Sequence, residues 1–185
     1  LLVVGVGGAA ALPGIIIGPW GGVLGDRLNR KKLVISLEIF MVFLALSFAL
    51  LLQAEVVLVW HVYTFALLAG CCEALKMPIR QALIANTVPF HALSNAYATS
   101  VLTIPGTRMI GPFIGGIIVS NVGFFWNFAI EALLYLGVIV ALIPMSTPYF
   151  IKREFVTGFG MSQMVTDMVD GFKYLWKQQR PLSLI

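Results

Sequence analysis

Charge is what this 185-residue chain has least of: Asp, Glu, Lys and Arg make up 11% of it, against 59% hydrophobic residues. So few charges exclude an ordinary soluble domain, and the mean hydropathy of +0.96 points the same way. Between Leu33 and Leu52 the only ionisable residue is Glu38. Cysteine is nearly missing too. The only two, Cys71 and Cys72, are adjacent within an apolar run, which suits neither an ordinary disulfide nor a metal site and leaves packing. No Ser/His/Asp set, His-Glu-x-x-His or Cys-His arrangement is visible, so no catalytic residues, metal or cofactor are assigned.

Long apolar runs are what is there. A helical span needs about 20 apolar residues to cross about 30 Å of hydrocarbon. Five stretches qualify, at about 1–24, 33–53, 56–77, 95–120 and 123–144. They are too many and too long for a signal peptide, so the expected fold is an all-α polytopic membrane protein in contact with the lipid bilayer. The chain starts without Met inside an apolar run and stops at "RPLSLI". We expect a piece of a longer protein, with membrane helices missing at both ends and residues 181–185 as the start of a next span.

The few cations fix an orientation. Arg27, Arg30, Lys31 and Lys32 lie between the first two spans, and Lys76 and Arg80 at or after the end of the third. Lys152, Arg153, Lys173, Lys177 and Arg180 follow the fifth. The loops near Gln53–Glu55 and Asn121–Gly123 have none. Eleven of twelve cations thus share one side, which the positive-inside rule makes cytoplasmic. That places the loops at 26–32, 78–94 and 145–180 in the cytoplasm, and it accounts for the net charge of +4 without nucleic acid as a partner. After Pro144 the chain turns polar. In the cytoplasmic linker 145–180 an amphipathic helix is expected over 161–179, with Met161, Met164, Val165, Met168, Val169, Phe172, Leu175 and Trp176 on one face. It would lie on the membrane surface or under the bundle.

One cluster breaks the apolar pattern. In "GGVLGDRLNRKKLV" five charges fall within seven residues: Asp26, Arg27, Arg30, Lys31 and Lys32. Behind them Gly14, Gly18 and Gly22 recur every four residues, the spacing of a close helix contact in lipid. Taken singly, each half is a packing face or a positive-inside anchor. Together they suit a latch between moving helices.

The segment resembles the loop signature of the major facilitator superfamily of secondary transporters, Gly-x-Leu-x-Asp-Arg-x-Gly-Arg-Lys-x-x-Leu. Gly22, Leu24, Asp26, Arg27, Arg30 and Lys31 match it, and Val34 takes the last apolar position. Asn29 stands for the family's glycine, as the next most tolerant residue in left-handed turns. The resemblance implies a gating loop between the family's second and third helices. This chain would then hold most of the N-terminal six-helix half, helices two to six and the linker, with the C-terminal half missing. The fourth helix of the family commonly carries an arginine, and Trp60 to Gly70 offers none.

Three further features bear on activity. Around "GTRMIGPFIGG", Gly106 to Gly116, Pro105 just before it and Pro112 within it should loosen the helix, and Gly111 with Gly115 suits close packing. A kinked packing helix is the plain reading. Gly106, Gly111, Pro112, Gly115 and Gly116 are also similar to the family's antiporter signature, which implies export by exchange, with protons as counter-substrate. Arg108 lies in mid-span, where a charge is costly and is taken as functional unless it forms a structural ion pair. Glu131 lies in the fifth span, with Asn127 and Tyr135 one turn to either side. Counting from their shared outer loop at about 1.5 Å per residue, Arg108 lies about 18 Å deep and Glu131 about 12 Å. We expect Arg108, Glu131 and Asn127 to line one substrate and proton cavity. Glu73 is expected in a boundary salt bridge with Lys76 or Arg80, and Glu38 in a pair with the basic loop. His61 is expected in an interfacial or packed role.

The linker stretch "DMVDGFKYLWKQQRPL" looks like the macrolide- and siderophore-exporter branch. The expected function is proton-coupled efflux of a small amphipathic compound, a drug, macrolide or siderophore, across a bacterial inner membrane. An uptake symporter is the alternative, and a membrane-embedded enzyme or non-transporting sensor the rival of another class.

Overall fold

The computed structural model describes residues 2–148 and Lys173. Five α-helices follow one another: α1 (Leu2–Arg27), α2 (Arg30–Gln53), α3 (Val59–Thr87), α4 (Leu93–Val122) and α5 (Phe124–Leu142). Among the described residues four helices are long and apolar enough to cross a membrane, α2, α3, α5 and the stretch Phe90–Val122 that contains α4. The linker helix at 161–179 and the run 181–185 lie outside the described residues, apart from Lys173, which is helical and exposed.

The connections are tight because each is built from a residue suited to it. Asn29 is an N-cap rather than the left-handed residue its glycine-replacing position suggests. Its φ is −65°, and its Oδ1 accepts the Lys32 amide at 3.1 Å, which satisfies one of the free N–H groups of the first turn of α2. His61 starts α3 in a similar way, its Nδ1 accepting the Leu58 amide at 3.0 Å. Gly123 joins α4 to α5 with φ +91°, a conformation only glycine takes without strain.

Helix α3 differs from its expected bounds. It starts at Val59 rather than 56 and runs through Pro78 to Thr87 instead of ending at 77. The connection to α4 is therefore short, a 3₁₀ turn at Phe90–Ala92 within the stretch 88–92, not a loop over 78–94. Proline removes one backbone bond, and packing against a neighbour lets a membrane helix continue through that loss. The neighbour here is α1. A Cβ on Gly21 would meet Pro78 and the Leu75 backbone, and one on Gly25 would meet Ile79.

The packing pairs are α1 with α3 and α2 with α5, and α2 also meets α3. The buried face of α2 comprises Val34, Glu38, Met41, Val42, Ala45, Phe48 and Ala49, at the three- and four-residue intervals of one helical stripe. Near its start Val34 packs with Ile79 and Leu83 of α3. Further along, Val42 and Ala45 meet Ala132 of α5. Near its end Phe48 joins Phe65 of α3 and Phe128 of α5, with ring centroids 4.6 to 5.2 Å apart.

The glycine row is a correction. Among the described residues nothing stands within 4 Å of a Cβ on Gly14 or Gly18; the close contacts are made by Gly5, Gly21, Gly25 and Gly70. Two rows of four-residue spacing coexist on α1, and spacing alone does not say which one meets a partner. On α4, a Cβ on Gly106, Gly111 or Gly116 would likewise meet nothing described, and one on Gly115 would lie 3.4 Å from Asn127 Oδ1 of α5. Helix α4 runs unbroken past Pro105 and Pro112 and has no buried residue.

Candidate functional site

The basic loop is tied to two helix ends of its own bundle. Arg30 donates through Nε to the Gly25 carbonyl at 2.9 Å, and through one terminal nitrogen to the Ala82 carbonyl at 3.1 Å and Asn86 Oδ1 at 3.0 Å. A guanidinium can serve several acceptors at once because its donors form a rigid fork. Lys31 Nζ donates to the carbonyls of Ile143 and Met145, both at 2.8 Å. Those carbonyls lie just past the C-terminus of α5, where backbone acceptors are unmet and a positive charge complements the helix dipole. Gly22, Asp26 and Arg27 fall on α1, and their surroundings lie outside the described residues.

This staple makes a specific prediction. Lys31→Met should weaken the end of α5 by about 1 kcal/mol, the usual net value of such bonds. Hydrogen exchange on the full-length protein should then show faster exchange over residues 139–145, with α2 unchanged.

Inside the bundle lies an ionic network that sequence position alone disguises. Lys76 is 5% exposed and Glu38 4%. Lys76 Nζ lies 3.3 Å from Glu38 Oε1 and also pairs with Glu73 Oε1, one turn back on α3. The ammonium sits 5.4 Å from the centre of the Tyr135 ring, and Tyr135 Oη donates to Glu131 Oε1 at 2.9 Å. One lysine thus links acids of α2 and α3 and faces the aromatic residue that holds the acid of α5. Two expectations change. Glu38 pairs with Lys76, not with the basic loop, and the Glu73–Lys76 pair lies inside a helix that continues to Thr87 rather than at a boundary.

Arg108 belongs elsewhere. It lines a cavity of about 480 Å³ between α1, α3 and α4, together with Gly14, Glu73, Arg80, Thr103 and Thr107. Glu131 is not in that lining; its described partner is Tyr135. Asn127 faces Gly115. The expected single cavity of Arg108, Glu131 and Asn127 is therefore replaced by two groupings. Depth along a helix is countable from sequence, but the direction a residue faces depends on which neighbour its helix meets. The sequence pairs Lys76 with Glu73, three residues back on the same face, but carries no signal for its reach to Glu38 of α2 or for Arg80 as a cavity residue.

A second cavity, of about 490 Å³, opens between α1, α2, α3 and α5. Phe48, Phe65 and Phe128 wall it, and among the described residues Glu73 is the one charged side chain in its lining.

Long apolar helices with buried charges between them define a polytopic α-helical membrane protein. Comparison with known proteins gives the family: the model of the transmembrane secretion effector family (MFS_3) matches residues 1–174, and the chain belongs to that family of the major facilitator superfamily. This is a family of transporters, not of enzymes. The chain is 28% identical over 72% of its length to a Na(+), Li(+), K(+)/H(+) antiporter from Planococcus maritimus. It is 29% identical over 75% to the enterobactin exporter EntS of Shigella flexneri, and 22% identical over 78% to the uncharacterized MFS-type transporter YfiS of Bacillus subtilis. These matches cover 30–32% of each relative, so the chain spans about a third of the length of the curated relatives it matches. No solved structure matches.

Proposed function

We propose that this chain forms most of the N-terminal half of a proton-coupled exporter, a secondary transporter that expels a small amphipathic compound by alternating access. The observation that carries the reading is the cavity holding Arg108, Arg80 and Glu73, whose α3 and α4 walls are long and apolar enough to cross a membrane. A charged group within a span is costly unless it serves a partner, a substrate or an ion. The relatives support export by exchange: one is named a cation/proton antiporter and another an exporter of enterobactin. A drug, a macrolide or a siderophore is the substrate class in this reading. The missing C-terminal half supplies the rest of the pocket, and the protein rocks its halves around a midplane site.

The protein sits in a bacterial inner membrane in this reading, with the loop at 26–32, the short connection at 88–92 and the linker 145–180 in the cytoplasm. Arg30 and Lys31 brace the gating loop within its own half, and Asp26 and Arg27 clamp it against the other half in one state. Proton and substrate drive the switch by binding the two states unequally.

The test uses the full-length protein in reconstituted vesicles. Efflux of a panel drug or siderophore against an opposed proton flux is expected; parallel fluxes would identify an uptake symporter instead. Asp26→Asn and Arg27→Ala should abolish export with membrane insertion intact. Loss of insertion would mark the loop as a topology anchor.

A further inference from the structure

The two cavities adjoin. Ala10, Gly70 and Glu73 belong to the linings of both, so they meet where α1 touches α3. Each has the volume of a small-molecule site, about 300–1,000 Å³, but their walls differ in chemistry. In the first, the side-chain donors are Thr103, Thr107, Arg80 and Arg108. Both threonine hydroxyls are engaged: Thr103 donates to the Thr99 carbonyl and Thr107 to that of Thr103. The guanidiniums are not. Neither Arg80 nor Arg108 has a hydrogen bond or ion pair among the described residues.

The acids nearby do not answer them. Glu73 pairs with Lys76, and Glu38 holds the same ammonium. Three cations, Lys76, Arg80 and Arg108, stand against two acids, Glu38 and Glu73, which leaves one positive charge uncompensated. A charge among membrane helices is costly without a counter-charge. The second cavity has the opposite character. Phe48, Phe65 and Phe128 pack ring against ring in its wall, and every other lining residue except Glu73 is aliphatic or glycine.

We infer that the adjoining cavities take an amphipathic organic acid with a single carboxylate, which lies with Arg80 and Arg108 while a flat apolar body lies against the three phenylalanines. This deepens the exporter reading above and rests on it for the ligand's role as substrate. A guanidinium offers parallel N–H donors that match both oxygens of a carboxylate. One negative charge also brings the site to neutrality. Ring bodies gain offset or edge-on contacts with phenyl groups beyond the apolar area they bury. An organic cation is the natural rival, because aromatic faces attract one. It would instead add a second unmatched positive charge, and the acid it needs is already held by Lys76.

Three probes of one shape test this: pyrenebutyrate, its neutral amide pyrenebutyramide, and pyrenebutylammonium. Fluorescence titration of the full-length protein in nanodiscs of zwitterionic lipid, with empty nanodiscs subtracted, gives each Kd. The acid should bind about 10-fold more tightly than the amide, the least that hydrogen bonds to a charged group are worth, and the ammonium most weakly. Arg80→Gln and Arg108→Gln should each remove about 10-fold of the acid's affinity and leave that of the amide in place. Ala69→Leu, at a position lining the second cavity alone, should weaken acid and amide by the same factor. Equal affinity for acid and amide, a preference for the ammonium, or no saturable binding of the acid overturns the inference. That comparison uses the wild type, so a misfolded variant does not decide it. Binding also needs no transport. Parallel proton and substrate fluxes in vesicles would overturn the exporter reading while a carboxylate preference stood; opposed fluxes with an ammonium preference would keep that reading and overturn this one.

Discussion

Replacing Lys76 by methionine is expected to lower the unfolding free energy of the full-length protein by about 3–5 kcal/mol, the range for removing one partner of a buried ion pair. The reason is Glu38. It is 4% exposed, its Oε2 already lacks a partner, and Lys76 is what compensates its charge among the described residues. Methionine preserves the bulk of the side chain, so the loss reads as charge left unpaired rather than as a cavity. The double variant Glu38→Leu with Lys76→Met removes both charges and should recover to within about 1 kcal/mol of the wild type, because an apolar pair of similar volume often replaces a buried ion pair at little cost. Unfolding by sodium dodecyl sulfate titration, followed by circular dichroism in mixed micelles, measures both. Equal destabilisation by the single and double variants would show that packing, not the ion pair, holds α2 on α3.

Gly70→Ala carries the next largest effect. A Cβ at this position would collide with the backbone carbonyl of Ala10, and a backbone atom cannot swing away as the tip of a side chain can. Helices α1 and α3 would have to separate, at a cost of about 1–3 kcal/mol, as for other overpacked contacts. In lipid this matters more than the area suggests, because close van der Waals packing rather than water exclusion drives helices together. Gly18→Ala is the control. Nothing described lies within 4 Å of its added methyl, so the same titration should show a change within about 0.5 kcal/mol. If Gly18→Ala proves the costlier of the two, the glycine row of Gly14, Gly18 and Gly22 forms the contact after all.

Much of the architecture is legible in the sequence because hydrocarbon imposes a simple rule: every backbone group must be paired within its own helix, so long apolar runs read directly as helices. Gly123, at φ +91°, marks the turn between α4 and α5. Where composition misled, the cause was local. Pro78, Lys76 and Arg80 resemble the end of a span, but α1 packs through Gly21 against Pro78 and Leu75 and holds that turn in the helix. Asn29 is compatible with a left-handed turn and also with an N-cap, and the chain uses it as the cap.

The sequence by itself therefore determined the class of protein, the approximate spans and the family, whose signature lies in contiguous residues from Gly22 to Lys31. Only the tertiary structure decided the partners of the buried charges. Glu38 and Lys76 are 38 positions apart in the chain but 3.3 Å apart across α2 and α3. Arg108 and Glu131 are joined in the chain by the turn at Gly123, yet Arg108 lines the cavity of α1, α3 and α4 while Glu131 bonds Tyr135 of its own helix. The physical reason is that apolar periodicity fixes each helix and its depth, while its rotation about its own axis is set by neighbours far away in sequence. A site made of one residue from each of several helices exists only once those rotations are fixed.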